Sequence, residues 1–416
     1  MCFVPPAVRD SPSRRNSLEH AHTERAATPN RVVAAGIGAF AYRGPMPIRK
    51  TRTHLSDGRE LLYFDDTEPY ASGAATRELR DGRDLAPVEA ASTMRYDVLT
   101  GEWVTLAAHR MNRTFLPSDD ECPLCPSRPG RPATEIPADD YDVAVFENRF
   151  PSLGSAALSV PELVDGEDLW PQRAADGRCE VVCFTSDHDR GFAQLSTVRV
   201  RTVLEALRDR TRELSELPSV AQVYCFENRG EEIGVTLSHP HGQIYAYPTL
   251  PPRTAALLRQ AERHRARTGR SLLRDVLDAE RRAGTRVVVE GEHWTAYVPA
   301  AARWPVELHV APHRDVADLT ELDDAELDEL SHLYLDVLGR LDRFFDSVEK
   351  LPYIAGWHQA PVGPGRELGR LYLQVFSLMR SPHRMKFLAG SESGMGAWIG
   401  DTTPERIAAR FREVAP

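Results

Sequence analysis

The residues His239-Pro240-His241-Gly242-Gln243, followed by Ile244-Tyr245-Ala246, hold the densest chemistry in the chain. In an extended strand alternate residues share a face, so His239, His241 and Gln243 project to one side and Pro240, Gly242 and Ile244 to the other. A lone histidine is most simply a hydrogen-bonded core residue. Three polar groups in a row on one face, bracketed by Pro and Gly, point instead to a site. Imidazole titrates near pH ~6.5, so near neutrality a good fraction is uncharged and nucleophilic. It can attack an electrophilic phosphorus, and the phosphoramidate formed divides one hard substitution into two easier ones. The amide of Gln243 can hold a non-bridging phosphoryl oxygen but delivers no proton, which suits a leaving group that is already a weak base, such as a sugar phosphate. The spacing alone therefore reads as nucleotidyl or phosphoryl transfer through a histidine adduct.

The elements that must position these groups form a weak internal repeat, seen when residues 143–246 are laid beside residues 294–377. The first copy runs as a strand (143–146), a strand ending at His188, a long amphipathic helix, a strand (VYCFEN) and the strand with His239 and His241. The second runs TAYVP, ELHVAPH to His313, a long helix, YIAGWH and LYLQVFS. Apolar residues at Val200, Val203, Leu204, Leu207 and Leu214, and at Leu327, Leu330, Tyr334, Leu338, Leu341 and Phe345, give each helix one buried face. Consecutive strands without crossover helices favour antiparallel pairing, so the expectation is an α+β fold of two halves, each a mostly antiparallel sheet covered by helices. Laid together, the copies set Tyr372 and Gln374 where the first has His239 and His241, so the second half reads as degenerate. The expected division is a disordered leader (1–45, with a possible start at Met46), a catalytic half (46–260) and a degenerate half (261–416).

Composition narrows the function further. The chain has 416 residues with 51 basic and 61 acidic side chains, a formal net charge of −10, which disfavours nucleic acid as a partner. No apolar run is long enough to span a bilayer, and the opening residues lack the pattern of an export signal. Six cysteines are too sparse for a disulfide scaffold, so a reducing cytoplasm is expected.

HPHGQ, with FENRGEEIG just before it and the upstream ECPLC and TSDH segments, resembles the galactose-1-phosphate uridylyltransferases of the histidine-triad superfamily. The resemblance covers the chain from about residue 50 to its end. It implies exchange of UMP between UDP-glucose and galactose 1-phosphate by a ping-pong route through a uridylyl-histidine, in a homodimer. It further implies His241 as nucleophile, Gln243 as the residue that steadies the transferred phosphoryl group, and Arg110, Arg113, Asn228 and Thr236 as phosphate contacts. Thr236 stands where the family often has Ser. Asn148 and Phe150 fall where uridine is held, and Lys386, Phe387 and Glu392 fall on the hexose side, supplied by the partner subunit. Trp398 stands where some members place a polar hexose contact, which leaves the acceptor sugar open.

Cys122 and Cys125 alone read equally as a turn with buried thiols or a redox pair. Joined by His188 and His239 they supply two sulfurs and two nitrogens, a set that suits tetrahedral zinc, and family members with these four positions carry zinc there. Such a zinc would be structural and would pin the strand that aims His241. Some members bind a second metal; here His358 matches one ligand, but Tyr372, Gln374 and Leu257 occupy the other positions, so no second metal is expected. His313 is expected to tether a strand end, the acidic run from Glu321 to Glu329 to be a solvated helix face, and Cys179, Cys183 and Cys225 to be core residues. The Gly-rich segment from Gly390 to Gly396 is given only a supporting part in phosphate binding. Two other readings stay open: transfer or phosphorolysis of another nucleoside diphosphate sugar, such as an adenylyl sugar, and a zinc-stabilised nucleotide-binding module without turnover.

Overall fold

Short runs rich in Val, Ile, Leu and Tyr, each ended by Gly, Pro or Asp, become the strands of one sheet. The computed structural model describes residues 47–77, 80–88, 92–112, 117–154 and 159–415. The expected leader (1–45), Met46 and Arg113 lie outside the described residues.

In chain order the described strands are β1 (Arg49–His54), β2 (Glu60–Asp65), β3 (Thr93–Asp97), β4 (Glu102–Leu106), β5 (Val143–Glu147), β6 (Gln172–Ala174), β7 (Arg178–Cys183), β8 (Gln222–Arg229), β9 (His241–Tyr247), β10 (Val287–Glu290), β11 (Trp294–Tyr297), β12 (Val306–Pro312), β13 (Tyr353–His358), β14 (Tyr372–Ser377), β15 (Met379–Ser381) and β16 (Arg384–Met385), the last two pairing only with each other. The helices are α1 (Thr197–Ser215), α2 (Pro252–Thr268), α3 (Leu272–Ala283), α4 (Asp324–Asp342), α5 (Gly390–Met395) and α6 (Pro404–Glu413). Eleven of the described strands form one sheet in the order β1-β2-β5-β7-β9-β8-β13-β14-β12-β11-β10, antiparallel at every step. β4, β3 and β6 make a small separate sheet.

The internal repeat is visible in this order. β5-β7-β9-β8 and β11-β12-β14-β13 are the same motif, and they meet where β8 pairs with β13, so the two half-sheets are continuous. Strand by strand, the ladders place Gln374 opposite Gly356 as Gln243 lies opposite Phe226, and Phe226 and Gly356 are themselves paired. Taken about that pair, the overlay sets Gln374 against Gln243 and Tyr372 against His241; taken about the next pair, Glu227 and Ala355, it sets Gln374 against His241 and Tyr372 against His239, as expected from the sequence.

α1 and α4 cover one face of the sheet, and the expected helix residues Val200, Val203, Leu204, Leu207, Leu214, Leu327, Leu330, Tyr334, Leu338 and Leu341 are buried there against Val223, Ile244, Leu308, Trp357 and Val375. Ser196 caps α1 by accepting from Arg199 N, and Asp323 with Glu326 forms a capping box at α4. Glu326 departs from the expected solvated face. It is buried and paired with Arg314 at 2.6 Å, while Glu329 accepts from the backbone N–H groups of Glu292, His293 and Trp294. His313 does tether a strand end, through Glu292 O and Thr295 Oγ1, both at 2.8 Å. The opposite face of the sheet carries the polar and aromatic residues. Among the described residues no helix is long and apolar enough to cross a membrane.

Candidate active site and metal centre

His241 opens β9, and the alternation along that strand leaves His241, Gln243, Tyr245 and Tyr247 on the face away from α1 and α4, with Gly242, Ile244 and Ala246 buried beneath. Gly242 is required there. A methyl group on it would lie 2.9 Å from the Phe184 ring and 3.0 Å from the Phe226 carbonyl oxygen. The His241 Nδ1 atom is 2.8 Å from the carbonyl oxygen of His239. A carbonyl can only accept, so Nδ1 carries the proton and Nε2 presents a lone pair. Burial lowers the His241 pKa, with the His239 carbonyl pulling the other way, so the ring stays in its uncharged, nucleophilic form.

The neighbouring strands complete this face. Phe226 of β8 opposes Gln243 and Glu227 opposes Gly242, so one position further along the ladder Asn228 falls beside His241. Thr236 lies half-buried in the loop that returns from β8 to β9. Arg110 Nη1 donates to Phe150 O at 2.9 Å and to Ser152 Oγ at 2.6 Å, and Tyr245 of β9 lies beside both. The turn that holds Arg110 is closed by Asn148, whose Oδ1 accepts from Phe150 N at 2.8 Å. The structure therefore brings Arg110, Asn148 and Phe150 together beside the strand of His241 and Gln243. Lys386 and Glu392 form a buried pair at 3.0 Å, with Lys386 also donating to Ile399 O, while Phe387 is 86% exposed; they lie together near the C-terminus of the chain. The Gly-rich segment is the short helix α5 rather than a loop, and Glu392 takes the Ala389 N–H at its start.

Cys122, Cys125, His188 and His239 converge, their ligand atoms all within 4.8 Å of one another. Cys125 Sγ is 3.3 Å from His188 Nδ1 and 3.5 Å from His239 Nδ1. A tetrahedral zinc with bonds of ~2.0–2.3 Å places its ligand atoms roughly 3.5 Å apart, so the set fits. Both rings turn Nδ1 inward because their other nitrogens are held: His239 Nε2 donates to Thr185 O at 2.8 Å and His188 Nε2 lies 3.0 Å from Ser238 Oγ. Burial pushes the His239 pKa down to about 4, which keeps the ring neutral as a ligand must be. The strand expected to end at His188 ends at Cys183, which frees His188 on a loop to reach the cluster. Cys183, paired with His241 in the ladder, packs with Cys122 and Tyr141, so the cluster sits against the face that bears the nucleophile.

In the second half His358 is stacked on Tyr372 with ring centres 4.5 Å apart, and its Nε2 is 3.1 Å from Gln374 Oε1. Gln374 in turn donates to Glu307 at 2.6 Å, and burial drives the His358 pKa down to about 3. Leu257 lines the same pocket.

Comparison with known proteins decides the family. The model of "Galactose-1-phosphate uridyl transferase, N-terminal domain" matches residues 83–251, and that of the corresponding C-terminal domain matches residues 257–415. The chain belongs to the galactose-1-phosphate uridylyltransferase family. A galactose-1-phosphate uridylyltransferase of Streptomyces lividans is 46% identical over 88% of this chain and 98% of its own length. One from Thermotoga maritima is 34% identical over 77% of this chain and 98% of its own. A solved structure described as a uridylyltransferase is 32% identical with a TM-score of 0.68, over 77% of this chain and 98% of that one. An ADP-glucose phosphorylase from Arabidopsis thaliana, at 22% identity and a TM-score of 0.59, shares the fold.

Three side chains of this uridylyltransferase-family site escaped the sequence reading. Tyr245 was legible, since it continues the alternation of His241 and Gln243. Ser152 and Tyr141 were not: Tyr141, whose hydroxyl donates to Leu124 O at 2.8 Å and lies 3.0 Å from His239 Nε2, is brought there by the fold and carries no local signal.

Proposed function

We propose that this chain transfers UMP between UDP-glucose and galactose 1-phosphate through a covalent uridylyl group on His241. The observation that carries the reading is the His241 ring held as its Nδ1–H tautomer by the His239 carbonyl, with Nε2 on the same strand face as Gln243. Nε2 attacks the α-phosphorus of UDP-glucose; the N–P bond forms as the P–O bond to glucose 1-phosphate breaks, and that phosphate leaves without needing a proton. A phosphate oxygen of galactose 1-phosphate then attacks the same phosphorus, giving UDP-galactose and returning the free ring. Gln243 donates its amide N–H to a non-bridging oxygen as negative charge builds there. Arg110 and Arg113, with Asn228 and Thr236, bind the phosphates, and the Asn148–Phe150 turn holds uridine.

We assign zinc to Cys122, Cys125, His188 and His239, one ion per chain; when bound it neutralises the thiolates and fixes the loop beside β9. Lys386, Phe387 and Glu392 serve the hexose side of the partner's pocket in a homodimer. The exposed Phe387, Leu388, Met395 and Ile399 around α5 give a second copy an apolar surface to cover. The chain divides into a catalytic half (46–260) and a degenerate half (261–416), and it works in the cytoplasm.

The test is incubation with UDP-glucose labelled at the α-phosphate, followed by quenching. Acid-labile, base-stable label on the protein that is chased by galactose 1-phosphate supports the reading. Absence of label indicates a binding module, and stronger labelling from ADP-glucose moves the nucleotide preference.

A further inference from the structure

Residues 47–77 and 80–82 precede the stretch that the family models match, yet they reach the loop that carries Cys122 and Cys125. The contact centres on Glu135, a carboxylate only 6% exposed. Arg59, at the end of the β1–β2 turn, places Nη2 2.5 Å from Glu135 Oε2, and Arg83 places Nη1 3.0 Å from Glu135 Oε1. Each arginine is itself fixed. Arg59 Nε pairs with Asp57 at 2.8 Å and its Nη1 donates to Glu147 O of β5 at 2.9 Å, while Arg83 pairs with Asp81 at 2.7 Å.

Glu135 is tied to the cysteines through its backbone. Its N–H donates at 2.9 Å to the carbonyl of Pro123, which lies between Cys122 and Cys125, and Ser127 N donates to Ile136 O at 3.0 Å on the other side. Apolar packing runs parallel to these bonds: Leu55, Leu61 and Tyr63 of the hairpin share one buried cluster with Cys122, Leu124, Ile136, Tyr141 and Cys183. Arg149 Nη1 lies 3.6 Å from Glu135 Oε1, so three guanidiniums share the carboxylate, and removing Arg59 or Arg83 takes away one of its two close pairs in a place largely shielded from water.

We propose that the hairpin of residues 47–77, with Arg83, acts as a clamp on the cysteine loop, with Arg59, Arg83 and Glu135 as positioning residues that hold the two thiolates in ligating geometry. The proposal rests on the zinc reading of the Cys122, Cys125, His188 and His239 cluster. The same hairpin supplies its own control. Lys50 pairs with Asp209 and Glu213, both at 2.6 Å, tying β1 to α1 away from the cysteines.

The experiment uses the full chain loaded with zinc and follows release of the ion to a chromophoric chelator, beside the melting temperature. Glu135→Gln and Arg83→Ala are expected to release zinc about tenfold or more faster than the unsubstituted chain. Lys50→Ala should release at the unsubstituted rate although its melting temperature falls. Release within twofold of the unsubstituted rate in both clamp variants, or equally fast release from Lys50→Ala, overturns the clamp. If Glu135→Gln does not fold, Arg83→Lys decides, since it keeps the charge but loses the fork; release indistinguishable from the unsubstituted chain counts against the proposal. An unsubstituted chain that holds no zinc overturns the metal reading itself, a result distinct from equal release rates.

Discussion

The His239 carbonyl oxygen accepts from His241 Nδ1 at 2.8 Å, while the His239 ring turns its own Nδ1 to within 3.5 Å of Cys125 Sγ. One residue therefore faces both the thiol cluster and the nucleophile. Its ring belongs to the first and its carbonyl sets the tautomer of the second.

That relationship predicts which atom is modified. Mapping and phosphorus–nitrogen coupling of the trapped adduct should place the uridylyl group on Nε2 of His241, with Nδ1 unmodified. His241→Ala should lose labelling altogether and lower kcat by at least about 10³-fold, because the covalent route runs through this imidazole. Label on Nδ1 would mean that the His239 carbonyl does not fix the ring.

Gln243 should matter more for rate than for binding. Its amide lies two residues from the nucleophile on the same strand face, and a donor aimed at developing charge is worth about 2.7–4 kcal/mol. Gln243→Ala is expected to lower kcat by about 10²–10³-fold with KM for UDP-glucose changed only a few-fold. Steady-state kinetics checks this, and a loss confined to KM would make Gln243 a ground-state contact.

Much of this was legible before any coordinates because period-2 alternation in HPHGQ and helical spacing in α1 and α4 are local signals. Each copy of the repeat kept its order of elements, so two similar antiparallel halves followed. The joining of the two halves through β8 and β13 was not legible, since strand pairing between the copies is a long-range property of the fold. Nor was the burial of Glu326, where a cap and Arg314 outweigh the solvated face that its charge implies. Tyr141 and the Glu135 pairs join residues many positions apart, and no spacing rule reports them.

Glu227 gives the fold a pH dependence of its own. It lies on the helix-facing side of β8, accepting from Tyr353 Oη at 2.9 Å, and burial raises its pKa from 4.5 to about 7 against the opposing pull of Tyr353 and Arg229. Between these values the folded state binds more protons than the unfolded one, so this group makes stability fall as pH rises from about 4.5 to about 7, by about 3 kcal/mol in all. Glu227→Gln should remove that slope and leave the protein more stable than the unsubstituted chain at pH 8. Denaturant midpoints at pH 5 and pH 8 measure it; equal slopes in the two proteins would place the titration elsewhere.

Metal content and labelling should fall together. Cys125 touches both ring nitrogens of the cluster, so Cys125→Ser weakens the set at its centre. Elemental analysis is expected to find one zinc per unsubstituted chain and substoichiometric zinc in Cys125→Ser, because serine offers a poorer ligand at the same position. Loss of the ion frees the loop and the His239 ring, and with them the carbonyl that orients His241, so the rate of uridylyl labelling should drop in proportion to zinc occupancy. The Nε2 lone pair itself remains, which means that residual labelling persists where His241→Ala shows none. Labelling that stays at the full rate in zinc-free protein would separate the two halves of His239 and confine the metal to stability alone.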